Sequence, residues 1–334
     1  MPLTMRPFSA NTFALSKVWF RCSTVNLRET NCVAITSSLK KWLYADMLLK
    51  PEEMMLYRPV YNGGLGLSSV KIKSTAFLIR TFLELAANPK YLQSQYLNML
   101  YRFHVLGDDD FTCPPLPPYY SISFFQTICQ AKNSGKDIIS MTTRQWYFYL
   151  LNKDILSITN EDGSTSKRLC RAEIISPDID WENVWRKIRH YSLPSSVTSF
   201  LWKLVNDLLA TEERVNLTLG NISASCRFCQ HEVVANLEHC FFKCCMTHDV
   251  GNWLLALVRN LGPTNESDIL RLNVSVNDAI VWIIAHTLHF SWTKRVLSKK
   301  ADYEECISHL RAEVAIMKNT HHSGLSGEIS SFLS

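Results

Sequence analysis

The chain is poor in the two residues that interrupt regular structure. Its 334 residues include 11 glycines and 12 prolines, too few for a collagen-like, linker-like or propeller-like architecture. It lacks an apolar run of the roughly 20 residues that a bilayer-spanning helix needs. The longest such run, residues 279–290, carries His286 and His289. The first 20 residues lack an uninterrupted apolar core and a small-residue cleavage site, so no secretory signal is expected. No G-x-S-x-G elbow and no P-loop occurs. An even cysteine count is missing too: eleven cysteines cannot all pair, which excludes a complete disulfide framework.

What is present is enough apolar material for a core. Apolar residues make up 47% and charged residues 19%, which excludes a mainly disordered chain. The length predicts about two domains. A net charge of +5 permits contact with nucleic acid without requiring it. The chain therefore reads as intracellular, in the nucleus or cytoplasm, with no membrane partner.

Helical periodicity runs from end to end and predicts a mainly α fold. The apolar stretch 74–87 stops before Asn88-Pro89, where proline forbids continuation. Asp180 can cap a helix whose buried face is Trp181, Val184, Trp185 and Ile188. After Pro194 a second face follows: Val197, Phe200, Leu201, Leu204, Val205 and Leu208. Asp249 opens a helix through Trp253, Leu254, Leu257 and Val258 that ends at Gly262-Pro263. Tyr303, Ile307, Leu310, Val314 and Met317 form a face too short for a coiled coil and are read as a docking helix. Strand signals are few; residues 54–61 are read as a short β segment leading into the Asn62-Gly63-Gly64 turn. A proline-rich passage at 113–120 and a polar one at 160–167 are read as linkers, with a boundary near 160–178. The Ser/Gly-rich stretch 319–334 is expected to fray.

Five cysteines (Cys226, Cys229, Cys240, Cys244 and Cys245) crowd one 20-residue stretch beside histidine, which points to metal in a reducing compartment. Cys226-Arg-Phe-Cys229 can present two thiolates from one tight knuckle. His239 and Cys244, five positions apart on or beside a short helix, can close a tetrahedron around Zn²⁺. A site with no open position is structural rather than catalytic. Cys245 or Cys240 could replace Cys244, although Cys240 directly follows His239; His248 and His231 are weaker alternatives.

Other motifs carry less. Asp46 stands alone, without the second carboxylate that a two-metal centre needs. Asp108-Asp109-Asp110 reads as a solvated acidic turn, and Gly63-Gly64-Leu65-Gly66-Leu67 as a turn rather than a dinucleotide loop. Basic residues interleave with aromatics near Trp185 and after Trp292. Arg186, Lys187, Arg189, Lys294 and Arg295 are the candidate phosphate contacts, with a solvated helix face as the competing explanation.

Several separate anchors share one order: Asp180-Trp181-x-x-Val184-Trp185, Ser199-Phe-Leu-Trp-Lys-Leu204, Thr211-Glu-Glu-Arg214, Cys226-x-x-Cys229 and His239-x4-Cys244. In that order they resemble the zinc-binding domain that follows reverse transcriptase in non-LTR (LINE-type) retrotransposons. Residues 11–19, Lys41-Trp42, and Leu56-Tyr-Arg-Pro59 before Gly63-Gly64 are similar to the thumb of those polymerases, and 79–147 to their connector.

The resemblance implies a helical thumb and connector followed by a small helical zinc-binding domain. Its divisions are a thumb-like region at 1–75, a connector with the proline-rich linker at 76–175, the zinc-binding domain at 176–262, C-terminal helices at 263–318 and a disordered tail at 319–334. It also implies a structural zinc, RNA or DNA partners (retrotransposon RNA or target-site DNA), and no polymerase activity, since the palm and endonuclease would precede the covered region. A helical zinc scaffold that binds protein and ignores nucleic acid is the alternative.

Overall fold

Side-chain caps set where the helices begin. Asp180 accepts from the Asn183 backbone N–H at 3.1 Å, Thr211 from Arg214 at 3.2 Å and Asn277 from Ile280 at 3.1 Å. Each satisfies a donor that the first helical turn leaves unpaired. The computed structural model describes residues 1–22, 27–45, 47–88, 90, 92–108, 115–117, 120–159, 165–190, 192–220, 222–229, 233–318 and 323–333. Among these the chain is mainly α, with seventeen α-helices and a single antiparallel strand pair, Ser157–Thr159 with Thr165–Lys167.

The chain divides into two units. One comprises Pro7–Leu43 and Gly66–Arg168. Its centre is the helix Val70–Ala87, which packs against Glu29–Leu43, Leu92–Tyr101 and Thr143–Leu151. Phe82, fully buried on that helix, meets Tyr120, Phe124 and Phe125 edge to face at 5.3 to 5.5 Å. That geometry sets each ring's electropositive edge against its neighbour's face.

The other unit comprises Met1–Arg6, Tyr44–Leu65 and Leu169–Ser334. Its axis is the helix Asp278–Val296, which packs against Ser195–Val205, His248–Arg259, Tyr303–Lys318 and Ser323–Phe332. The apolar run 279–290 lies on this helix and is buried on nearly all sides, as expected of a core helix. No helix among the described residues is long and apolar enough to cross a membrane.

Two tryptophans in this unit explain the Gly63-Gly64 turn. The Trp202 indole N–H donates to the Gly63 carbonyl at 2.7 Å. A β-carbon on Gly63, whose φ is +82°, would come within 2.3 Å of the Trp185 ring. On Gly64 it would fall 1.9 Å from the Arg58 carbonyl oxygen. Arg58, from the same turn, makes a bidentate pair with Glu173 at 2.6 and 2.8 Å, both side chains almost wholly buried.

The structure corrects two local expectations. Residues 53–57 form the helix Glu53–Tyr57, not a strand. Met54, Met55, Leu56 and Tyr57 are all buried, and a run apolar at every position carries no period to distinguish helix from strand. The tail contains the helix Ser323–Phe332, with Ile329 and Leu333 buried. The expected thumb-like stretch 1–75 is shared between the two units, and the expected linker at 160–167 contributes Thr165–Lys167 to the strand pair. Asp46, Asp109, Asp110, Cys113, Pro114, Pro118 and residues 160–164 lie outside the described residues. Asp108 is paired with Arg102, whose Nε donates to it at 2.7 Å.

Two predictions follow from buried polar groups. Arg58→Met leaves the Glu173 carboxylate buried without its cation and is expected to cost about 3–5 kcal/mol. Adding Glu173→Leu should recover much of that loss in a denaturant-unfolding cycle; no recovery would show that the pair is not the cause. His286 is buried against Trp282, with ring centroids 4.0 Å apart, and its Nε2 has no hydrogen-bond partner among the described residues. Burial, with His309 and His289 adding to it, pulls its pKa down from 6.5 to about 3. A base depressed in the folded state gives its full stability above its unfolded pKa, and loses it as the pH falls from about 6.5 towards 3. His286→Phe should flatten the fall in melting temperature across that window, and an unchanged slope would exclude His286 as its source.

Candidate metal centre

The candidate ligands come from a knuckle and a single π-helical turn. The knuckle begins where Ser225 and Val234 pair as an antiparallel bridge and the Cys226 N–H donates to the Val233 carbonyl at 2.8 Å. Cys226 and Cys229 follow directly. The second pair flanks the π turn His239–Lys243. The Asn236 side chain accepts from the His239 N–H at 2.8 Å, and the Cys244 N–H closes the turn on the His239 carbonyl at 2.8 Å. That i to i+5 bond is the structural meaning of the His-x4-Cys spacing, and such turns recur at functional sites. Thr247, fully buried, donates to the Cys240 carbonyl at 2.7 Å and ties the turn to the helix His248–Arg259.

The ligand atoms of Cys226, Cys229, His239 and Cys244 all lie within 4.8 Å of one another. Cys226 Sγ is 3.7 Å from Cys244 Sγ, Cys229 Sγ is 3.9 Å from Cys244 Sγ, and Cys229 Sγ is 3.4 Å from His239 Nε2. A tetrahedral ion with metal–sulfur bonds of about 2.3 Å and a metal–nitrogen bond of about 2.0–2.1 Å would set S···S edges of about 3.8 Å and S···N edges of about 3.5 Å. These three edges match such an ion, and every other pair of the four atoms lies within 4.8 Å. The set is closed, with four protein ligands.

The remaining cysteines and histidines are arranged otherwise. Cys240 points away, its thiol towards the Ala235 carbonyl at 3.7 Å, and burial pushes its pKa up to about 12. Cys245 lies 3.8 Å from Cys229 Sγ but is exposed, with its thiol on the Phe228 carbonyl. His248 is exposed and contacts Asn252 and Asp249. His231 lies outside the described residues.

One candidate phosphate contact, Arg295, lies at this site. Arg295 is 2% exposed, and its guanidinium donates to Cys244 Sγ at 2.9 Å, to Cys226 Sγ at 3.5 Å and to Glu212 at 2.9 and 3.1 Å. It faces the cysteines instead of solvent. Burial raises the Cys226 thiol, but the Phe228 backbone N–H, Arg295 and His239 outweigh it and hold the pKa at about 6. Burial raises Cys229 and Cys244. Burial also opposes the charge on Arg295, but the surrounding thiols and Glu212 more than offset it and raise its pKa. Neither Glu212 nor Arg295 was recognisable as part of the site, because nothing in their spacing marks them.

The other candidate phosphate contacts differ among themselves. Lys187 Nζ donates to the Leu272 and Val274 carbonyls at 2.9 and 2.6 Å, acting as an internal tether. Lys294 pairs with Glu305. Arg189 is half-buried, and burial lowers its pKa to about 10. Arg186 is exposed, donating to Asn183 Oδ1 at 2.8 Å.

A family model described as zinc-binding in reverse transcriptase matches residues 166–250, a segment that contains all four candidate ligands. No curated protein matches the chain. Elemental analysis of the purified chain should find about one divalent ion per molecule. Cys229→Ser should reduce that occupancy and Cys240→Ser should preserve it. Equal metal content in wild type and a Cys226→Ser, Cys229→Ser double variant would exclude the site.

Proposed function

We propose that this chain is a nucleic-acid-binding region of non-LTR (LINE-type) reverse-transcriptase origin, in which Cys226, Cys229, His239 and Cys244 hold a structural Zn²⁺. The observation that carries the reading is a cluster of three sulfurs and one imidazole nitrogen, all within 4.8 Å of one another, inside the segment matched by the zinc-binding reverse-transcriptase family. Thiolate and imidazole ligands favour Zn²⁺ among biological divalent ions, and a set of four protein ligands leaves no position for substrate. Bound there, zinc would join the knuckle to the π turn and contribute folding free energy. The four residues do no chemistry beyond holding that junction.

On this reading the partner is RNA or DNA, reached through phosphates by cations that remain free of internal work. Arg186 is the first of these, with Arg189 beside it on the Trp181–Ile188 segment and its C-cap. Thumb and connector roles for the remainder of the chain belong to the same reading. So does the absence of polymerase activity: the resemblance covers thumb, connector and zinc region but not the carboxylates that hold Mg²⁺ in a polymerase palm.

A second reading, a zinc scaffold for a protein partner, is favoured by one observation. In the unit centred on Val70–Ala87, a mostly apolar cleft of about 620 Å³ is lined by Phe13, Val18, Ile35 and Trp42, with Phe13 and Trp42 exposed.

Titration of labelled RNA and DNA at two salt concentrations separates the readings. Nucleic-acid binding should weaken steeply with salt, and Arg186→Ala should weaken it for all sequences alike and lower the salt slope by about one. Absent or salt-insensitive binding favours the scaffold. Extension of a primed RNA template by the purified chain would refute the non-enzymatic reading.

A further inference from the structure

A divalent ion held by three thiolates and one neutral imidazole carries a net charge of −1. Here much of that charge would be buried, since Cys226, His239 and Cys244 are each 5% exposed or less and Cys229 is half-buried. Taking a net charge out of water is costly unless an opposite charge with good hydrogen-bond geometry accompanies it. Among the described residues, the guanidinium that bonds the Cys244 and Cys226 sulfurs is not one of the knuckle or the π turn. It arrives from the last turn of the helix Asp278–Val296, beyond the segment that the family model matches.

The Arg295 fork reaches two ligands at once. One terminal nitrogen donates to Cys244 Sγ at 2.9 Å, and the other reaches Cys226 Sγ at 3.5 Å while also bonding both Glu212 oxygens. At 2.9 Å the guanidinium is within hydrogen-bond reach of the Cys244 sulfur, a contact that strengthens when the acceptor carries charge. Glu212, at the start of the helix Glu212–Leu219, fixes the guanidinium plane and is itself approached by Arg227 Nε at 3.4 Å. Phe228, inside the knuckle, packs beneath both cations, its ring centroid 4.9 Å from the Arg295 guanidinium carbon and 4.7 Å from that of Arg227. A lysine could offer one point charge here but not a planar fork serving two sulfurs and a carboxylate together.

We propose that Arg295, oriented by Glu212, is a positioning residue of the metal site that neutralises the bound thiolates of Cys226 and Cys244 and so slows loss of the ion. The inference rests on the metal-site reading above and extends it: the site is completed by a residue 51 positions after its last cysteine ligand. Its consequence is that the helix Asp278–Val296 belongs to the metal site as much as to the core.

The test uses the full chain loaded with Co²⁺, whose sulfur-to-metal charge-transfer bands report the electron density on the thiolates. Arg295→Gln should release metal to a chromogenic chelator about 10–100-fold faster than wild type, the range typical when a residue supporting a metal ligand is lost. The charge-transfer band should move to longer wavelength, because a sulfur freed of its donor gives up an electron more readily. Arg295→Lys should fall between the two, and Glu212→Gln should shift in the same direction by less. A merely structural arginine would alter stability without moving the band.

Should Arg295→Gln not fold, the wild-type chain loaded with ¹¹³Cd provides the second measurement. A scalar correlation from the metal to the Arg295 guanidinium protons is expected across the N–H···S bond. An Arg295→Gln release rate within twofold of wild type with an unmoved band, or no such correlation, would overturn the proposal. Failure of the wild-type chain to take up cobalt would instead overturn the metal reading beneath it.

Discussion

Three sulfur ligands and an imidazole must be brought to within 4.8 Å of each other inside a protein interior, and that constraint organises the unit around them. A tight knuckle delivers two ligands and a single π turn the other two, because an i to i+5 turn sets His239 and Cys244 at its two ends. Everything adjoining the turn is held closely. Gly251 of the helix His248–Arg259 lies so near that a β-carbon there would come within 2.3 Å of the Phe241 carbonyl oxygen. Thr247, Ala301 and Arg295 each bond to the same short stretch of chain, at Cys240, Met246 and Cys244 respectively. Helices distant in sequence therefore share one small region, and its electrostatics decide what can pack beside it.

How much of this could be read from the sequence depended on the range of the interaction. Cys226-x2-Cys229 and His239-x4-Cys244 are local patterns, and local geometry alone makes them candidate ligand pairs. The Asp180 cap and the Trp181, Val184, Trp185, Ile188 face are local too, and the helix Trp181–Ile188 buries Val184, Trp185 and Ile188. The Gly63-Gly64 turn was also visible, but not its reason, which is the approach of Trp185 and Trp202 from more than a hundred residues away. Arg58 with Glu173 is a contact of the same kind, 115 residues apart. Residues 53–57 misled because every apolar position in that short run is buried, which erases the period on which assignment relies. The tail misled through composition: Ser and Gly are weak helix formers, yet Ile329 and Leu333 find a buried place, and tertiary packing outweighs propensity.

The basic residues show that charge read from sequence is not charge available to a partner. Lys187 and Arg295 look alike in a list of cations beside tryptophans. One spends its ammonium on two backbone carbonyls, and the other spends its guanidinium on two sulfurs and a carboxylate. A buried cation needs the partners it has found and cannot exchange them for phosphate without leaving those acceptors unpaired. Arg186 by contrast keeps its guanidinium at the surface, its own hydrogen bond being to the half-buried Asn183 on the same helix.

The segment that resembles a known family and the segment that is physically complete differ in extent. The family match runs from 166 to 250, whereas the unit that contains it also draws in Met1–Arg6, Tyr44–Leu65 and the chain after 250. Each addition makes a bond that the matched segment cannot make internally. Thr4 meets Ser199 at 2.9 Å, Gly63 accepts from Trp202, Arg58 neutralises Glu173, and Arg295 neutralises the sulfurs. Removing any of the last three would expose a buried polar or charged group without its partner, at a cost comparable to a large share of a domain's net stability. The matched segment on its own therefore carries the ligands but not the charge balance that lets them be buried. For this chain, the smallest piece expected to hold metal well is the whole unit, including the helix Asp278–Val296.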